Sequence, residues 1–223
     1  MPATILSDNG ASSGTAGLKT SGSNDGILEL QTTTAGGTAT AAITIDTAQR
    51  SKFPTTIGVG GATPSTSGSG ITFPATQSAS SNANTLDDYE EGTFTPELKF
   101  GGNAVSLTYG SRAGIYTKIG RCVTVSFVMV LSAKGSSSGN ATVSLPFASD
   151  EYGQPNQPGY AGGFPYYSGM TSATKAGFIV GNIGAAGYVM ASTTTTDSGY
   201  TATEANFNNN TVFAMTITYN TAT

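Results

Sequence analysis

The sequence predicts an all-β chain: a C-terminal β-sandwich, jelly-roll-like, preceded by an extended N-terminal β-meander and a linker. Three observations carry that expectation. Short segments alternate apolar and polar residues with the two-residue period of a strand. Gly, Asn and Pro punctuate them at turn spacing. No window sustains a helical period, and residues 86–91 offer one helical turn at most.

Composition points the same way. Charged residues are 10% of the 223, against an average of about 25%, and Thr, Ser, Gly, Ala and Asn fill the difference. Disorder usually combines low hydrophobicity with high charge, so this chain, with 37% apolar residues and a net charge of −4, reads instead as strands and tight turns. Threonine suits a pleated surface because its β-branched side chain packs well there. No block of Lys or Arg exists to track a phosphate backbone, which argues against nucleic-acid binding.

Residues 1–50 form the expected meander. Asn24-Asp25-Gly26 is a turn signal, because these residues tolerate positive φ. It precedes an alternating strand over 27–32. Ala35-Gly36-Gly37 turns the chain again, and Ile43 and Ile45 alternate with Thr44 and Asp46. Three strands are expected, with too few apolar side chains to bury a core alone, so other chains should hold them. Residues 51–85 are a Gly/Ser/Thr/Pro-rich linker with strand-like pieces at 56–59 and 71–73, expected to be ordered by its neighbours.

Residues 86–223 carry frequent short strands. The longest apolar run, 122–131, places Val123, Val125, Phe127, Met129 and Leu131 on one face. Val128 and Val130 on the other face predict a central strand covered on both sides. Further strands are read at 94–100, 105–109, 115–119, 141–145, 176–183, 188–191 and 211–219, eight or so in all. That count with Gly-rich turns suits a sandwich. The run at 122–131 is far short of the ~20 residues of a membrane helix, so no membrane insertion is expected. The first residues lack the basic and apolar pattern of a signal peptide.

Three stretches together carry a resemblance. Gly70-Ile71-Thr72-Phe73-Pro74 runs on to Thr85-Leu86-Asp87-Asp88-Tyr89-Glu90-Glu91-Gly92-Thr93-Phe94. Gly114-Ile115-Tyr116-Thr117-Lys118-Ile119-Gly120-Arg121 precedes the central strand. Lys134-Gly135-Ser136-Ser137-Ser138-Gly139 precedes the strand at 141. The pattern resembles a module of tail-fibre and other virion structural proteins of tailed bacteriophages, and residues 7–46 are similar to fibre-shaft segments. The resemblance covers most of the chain to about Phe147 and fades over 148–210. It implies a homotrimer in the virion, assembled in the host bacterial cytoplasm. Its partners would be other virion proteins: tail, baseplate or major capsid protein.

Without histidine, Ser-His and Cys-His catalysis and His-based metal sites are excluded. No catalytic residue, metal or cofactor is expected, and a glycan-degrading enzyme is a distant third reading. Cys122, the only cysteine, rules out an intrachain disulfide and is expected to be a small buried filler. Asp87, Asp88, Glu90 and Glu91 are the one dense acidic group. Paired carboxylates serve glycoside hydrolysis or Ca²⁺ binding, but here they are expected at intersubunit contacts, or as solvation and capping at the junction. Residues 150–170 gather Tyr152, Tyr160, Phe164, Tyr166 and Tyr167 among glycines and prolines. Rigid aromatics on loops suit a host-surface glycan or a protein partner, and equally suit packing between subunits. Residues 193–210, with Asp197, Tyr200 and Glu204, form a second candidate loop.

The expected function is therefore a non-enzymatic virion protein: a short trimeric fibre or adhesin, anchored by its N-terminus and touching the host with its sandwich. The alternative is a capsid decoration (cement) protein stabilising the head shell.

Overall fold

The computed structural model describes residues 17–20, 27–32, 37–76, 80–82, 84–150, 161–163, 165–171, 175–180, 184–192 and 200–221. The chain divides into two units, Met1–Ser78 and Ala79–Thr223.

In the first unit, β1 (Gly17–Thr20), β2 (Leu28–Thr32), β3 (Thr40–Ile45) and β4 (Ser51–Lys52) form an antiparallel sheet in chain order. The meander thus has a fourth strand beyond the three expected. Its register sets Leu28 opposite Ile45 and Leu30 opposite Ile43, so the few apolar side chains share one face. Asp46 builds the turn into β4. Its carboxylate accepts the backbone N–H groups of Ala48 and Arg50 at 2.9 and 3.0 Å and pairs with the Arg50 guanidinium at 2.7 Å. That donor set holds the Asp46 pKa below its ordinary value, with the Arg50 side chain the largest cause.

The linker's two strand-like pieces pair with each other. β5 (Thr56–Gly58) and β6 (Gly70–Thr72) run parallel, Ile57 opposite Ile71. A hydroxyl knot secures the intervening loop: Thr72 Oγ1 donates to Thr56 Oγ1 at 2.7 Å, which accepts the Ser65 N–H at 2.6 Å. These bonds satisfy polar groups but bury no oil. Among the described residues of this unit none is buried, and Leu30, Phe53, Ile57, Val59 and Ile71 stay 37–55% exposed.

The second unit is the predicted sandwich. Its strands are β7 (Tyr89–Phe94), β8 (Leu98–Phe100), β9 (Thr108–Ile119), β10 (Cys122–Ala133), β11 (Ala141–Ser149), β12 (Ala161–Gly163), β13 (Tyr166–Ser168), β14 (Lys175–Val180), β15 (Gly184–Ser192), β16 (Tyr200–Thr201) and β17 (Val212–Asn220), with one 3₁₀ turn at Glu204–Asn206. One sheet runs β13-β17-β10-β9-β7, the other β12-β14-β15-β11-β8, and β16 joins β15. All pairings within both sheets are antiparallel.

The alternation read in the sequence is the alternation that packs. Val123, Val125, Phe127, Met129 and Leu131 of β10 are buried, as are Phe213, Met215, Ile217 and Tyr219 of β17. They meet Phe178 and Val180 of β14 and Val143 of β11 from the opposite sheet. Phe127 sits 5.8 Å from Phe178 and 6.1 Å from Phe213 between ring centroids, within the range where aromatic pairs add to area burial. Glycine makes room for one of these rings: a Cβ on Gly187 would lie 2.2 Å from the Phe178 ring. The β9–β10 hairpin closes through Gly120-Arg121, with Gly120 at φ +54°, the positive-φ position that a two-residue hairpin turn demands.

Three expectations fail here for physical reasons. Residues 89–91 are strand, not a helical turn, because β7 pairs along β9. The central strand is not covered on both sides: Val128 is 37% exposed and Val130 half-buried on the sheet's outer face. Cys122 is exposed, not a buried filler, because it shares the outward parity of Val128 while its neighbour Val123 faces the core. The strand orders establish the sandwich without identifying a jelly-roll winding.

Candidate functional site

The four acids separate by strand parity. Asp88 is 6% exposed and ion-paired with Lys118, itself 5% exposed. The Asp88 carbonyl also accepts the Gly120 N–H at 3.0 Å, and the Lys118 ammonium lies 5.8 Å over the Phe147 ring. Burial pushes the Lys118 pKa down, and the Asp87 carboxylate pulls it partly back. The Asp88 charge is neutralised within its own chain, because a carboxylate this deep needs a partner at hand.

The other three acids also find intrachain donors. Asp87 accepts the Ser80 N–H at 2.5 Å. Glu90 accepts the Tyr116 hydroxyl at 2.5 Å and Glu91 the Tyr89 hydroxyl at 2.8 Å. Each carboxylate raises the pKa of the phenol that donates to it. These acids rivet the start of the sandwich, with Asp87 and Asp88 holding the incoming chain and Glu90 and Glu91 dressing the edge strand β7. Among the described residues, no group of three or more His, Cys, Asp or Glu is placed to hold a metal ion. No helix among them is long and apolar enough to cross a membrane.

Of the aromatic loop, Tyr152, Tyr160 and Phe164 lie outside the described residues, as does Asp197. Tyr200 falls in β16 opposite Ala191, and its side chain is not described. Tyr166 and Tyr167, neighbours in β13, part company. Tyr167 turns inward and packs on the core. Tyr166 stands 68% exposed on the outer face. The second loop is tied down at its far end: Glu204 accepts the Gly139 N–H at 2.7 Å while Lys134 Nζ donates to the Glu204 carbonyl at 3.1 Å. The Gly139 bond is the largest cause of a lowered Glu204 pKa. Asn208 continues the lacing, donating to the Gly169 carbonyl at 2.9 Å.

What the sequence reading missed is the outer face of the five-stranded sheet. Tyr166, Ala214, Val128 and Ala113 form one row across β13, β17, β10 and β9. Thr216, Ser126 and Ile115 form the next, and Thr93 of β7 extends it. A shallow depression of about 500 Å³ lies between these rows, with Phe127 and Met215 also lining it. Ile115 is 60% and Ile119 49% exposed on the same face. Its hydroxyls bond to one another, Thr124 to Thr218 at 2.9 Å and Ser126 to Thr216 at 2.8 Å. The signal was present in the sequence as Val128 and Val130, but it read as a second buried side; Ile115 and Ile119 were not assigned to a face. Compared with protein-family models, curated proteins and solved structures, the chain matches none.

Proposed function

We propose that this chain is a structural protein of a tailed-bacteriophage particle, a short homotrimeric fibre whose first unit attaches to the particle and whose sandwich contacts the host surface. One observation carries the reading: a four-stranded meander and a parallel strand pair without a single buried residue among those described. Strand pairing satisfies backbone hydrogen bonds, but a small sheet gains independent stability only by burying a face. The exposed Leu30 of the meander, Phe53 beyond it, and Ile57 and Ile71 of the parallel pair are the apolar surface that neighbours would cover. The resemblance of the segments around Tyr89, Ile115 and Ser136 to phage virion modules supplies the setting.

The chemistry of the described residues is mechanical. Charged side chains such as Asp88, Lys118 and Glu204 rivet the sandwich, and repeated copies turn weak surface contacts into firm attachment. A capsid decoration protein is the second reading, because a sheet without a buried residue suits packing on shell subunits equally well. Two measurements test the proposal. Sedimentation equilibrium of the purified chain should give three times its 22.4 kDa, and a monomer would contradict it. Antibody labelling of intact particles should mark the tail or baseplate; labelling spread over the whole head would transfer the assignment to decoration.

A further inference from the structure

We propose that a second copy of this chain packs on the outer face of the five-stranded sheet, making that face, with Tyr166 at its rim, the contact between sandwiches. The inference rests on the self-assembly reading above and names the surface that performs it.

Charge selects the occupant. Of the side chains pointing off this face from its five strands, Glu91 on the edge strand β7 is the one that bears a charge, and its carboxylate already accepts the Tyr89 hydroxyl. Each copy carries a net charge of −4, so copies repel unless they meet where charge is absent. An uncharged face is compatible with its equivalents on the other copies around a three-fold axis, whereas recognition of a different partner leans on complementary charge. The opposite sheet lacks this property, since Lys99 on β8 carries an exposed ion pair with Glu97 at 3.1 Å.

Desolvation is inexpensive here. Covering a hydroxyl without a partner is costly, but Thr124, Thr218, Ser126 and Thr216 are already bonded pairwise across β10 and β17. The apolar content is real: Ile115, Ile119, Val128 and Tyr166 stay between 37% and 68% exposed in the single chain. The area is sufficient. Five strands of 3 to 12 residues, about 4.8 Å apart and rising about 3.3 Å per residue, present roughly 670 Å², close to the ~800 Å² per partner of a stable interface. The exposed Tyr166 ring beside an open depression lined by Ala113, Ile115 and Val128 gives the face both a projection and a recess.

The test uses the full chain carrying Cys122→Ser and Ser126→Cys, a conservative pair that moves the only thiol to the centre of the face. In the purified oligomer, maleimide should alkylate this thiol at least tenfold more slowly than in the unfolded chain. Adding Val128→Glu should weaken association at least 100-fold by sedimentation velocity and bring the thiol to the fast rate. Lys99→Glu on the other sheet should change neither. Fast alkylation in an intact oligomer, or an oligomer indifferent to Val128→Glu, overturns this surface while leaving self-assembly standing. A natural chain that sediments as a monomer sinks both.

Discussion

The two units are made of the same material and differ in what their strands accomplish. Both are rich in Thr, Ser and Gly, and both satisfy the backbone by antiparallel pairing. In the sandwich, β10 and β17 place every second residue into a common interior, from Val123 and Tyr219 at one end to Leu131 and Phe213 at the other. In the meander, Leu28, Leu30, Ile43 and Ile45 line up just as well, yet no second layer covers them among the described residues of that unit. The difference teaches that alternation encodes a face, while burial requires a second face. The sandwich contains its own second face; the described residues of the first unit show none, and on the function proposed above other chains supply it.

Substitutions should respect this asymmetry. The largest loss falls in the sandwich interior. Phe127→Ala removes a ring in contact with Phe94, Phe178 and Phe213 and should cost about 3–5 kcal/mol, read as a lower urea midpoint. Lys118→Ala should approach the same size, about 3–5 kcal/mol, because it strands the buried Asp88 carboxylate. Replacing both partners by apolar residues should recover most of it. A double variant as unstable as Lys118→Ala alone would show that the pair itself, not the stranded charge, matters.

A smaller effect appears in alkali. Tyr219 is 3% exposed, and its hydroxyl donates to the Phe147 carbonyl at 3.0 Å and accepts the Phe147 N–H at 3.3 Å. Burial is the main cause that raises its pKa from 10.0 to about 12. Below pH 10 both folded and unfolded chains hold this proton. Between 10 and 12 the unfolded chain has lost it and the folded chain keeps it, so stability falls as pH rises. The loss should total about 2–3 kcal/mol by pH 12, and Tyr219→Phe should flatten that slope in urea titrations at successive pH values. The smallest effect sharpens the comparison most. Leu30→Ala should move the sandwich midpoint by less than about 0.5 kcal/mol, as a change at an exposed site does, yet weaken self-association in sedimentation.

Much of the sandwich was legible because its core strands alternate strictly. Val123–Leu131 were read on the correct face, and 141–145 and 211–219 were read as strands. What escaped was what a single strand does not encode. Val128 and Val130 announce an apolar outer face, but the sequence does not say whether the same chain covers it. Cys122 looked like filler by residue type, and its parity with Val128 puts it outside. β7 was missed because Tyr89-Glu90-Glu91-Gly92 shows no apolar alternation; pairing with β9 makes it a strand. The parallel pairing of Ile57 with Ile71 joins residues across a polar loop, with no local signal to announce it. The acids were seen as a group, and alternation then sent Asp88 inward to Lys118 and Glu91 outward to Tyr89. Among the candidate binding residues, Tyr166 is exposed while Tyr167 serves the core, a distinction set by the register with Ala214 and Phe213.

The central claim is that the first unit is held by other chains. Hydrogen exchange of the full chain through a dilution series tests it most directly. The account predicts that amides of Leu28–Thr32 and Thr40–Ile45 lose protection as the oligomer dissociates, while those of Cys122–Ala133 and Val212–Asn220 keep theirs. Meander amides that remain protected in a chain shown by sedimentation to be monomeric would contradict it.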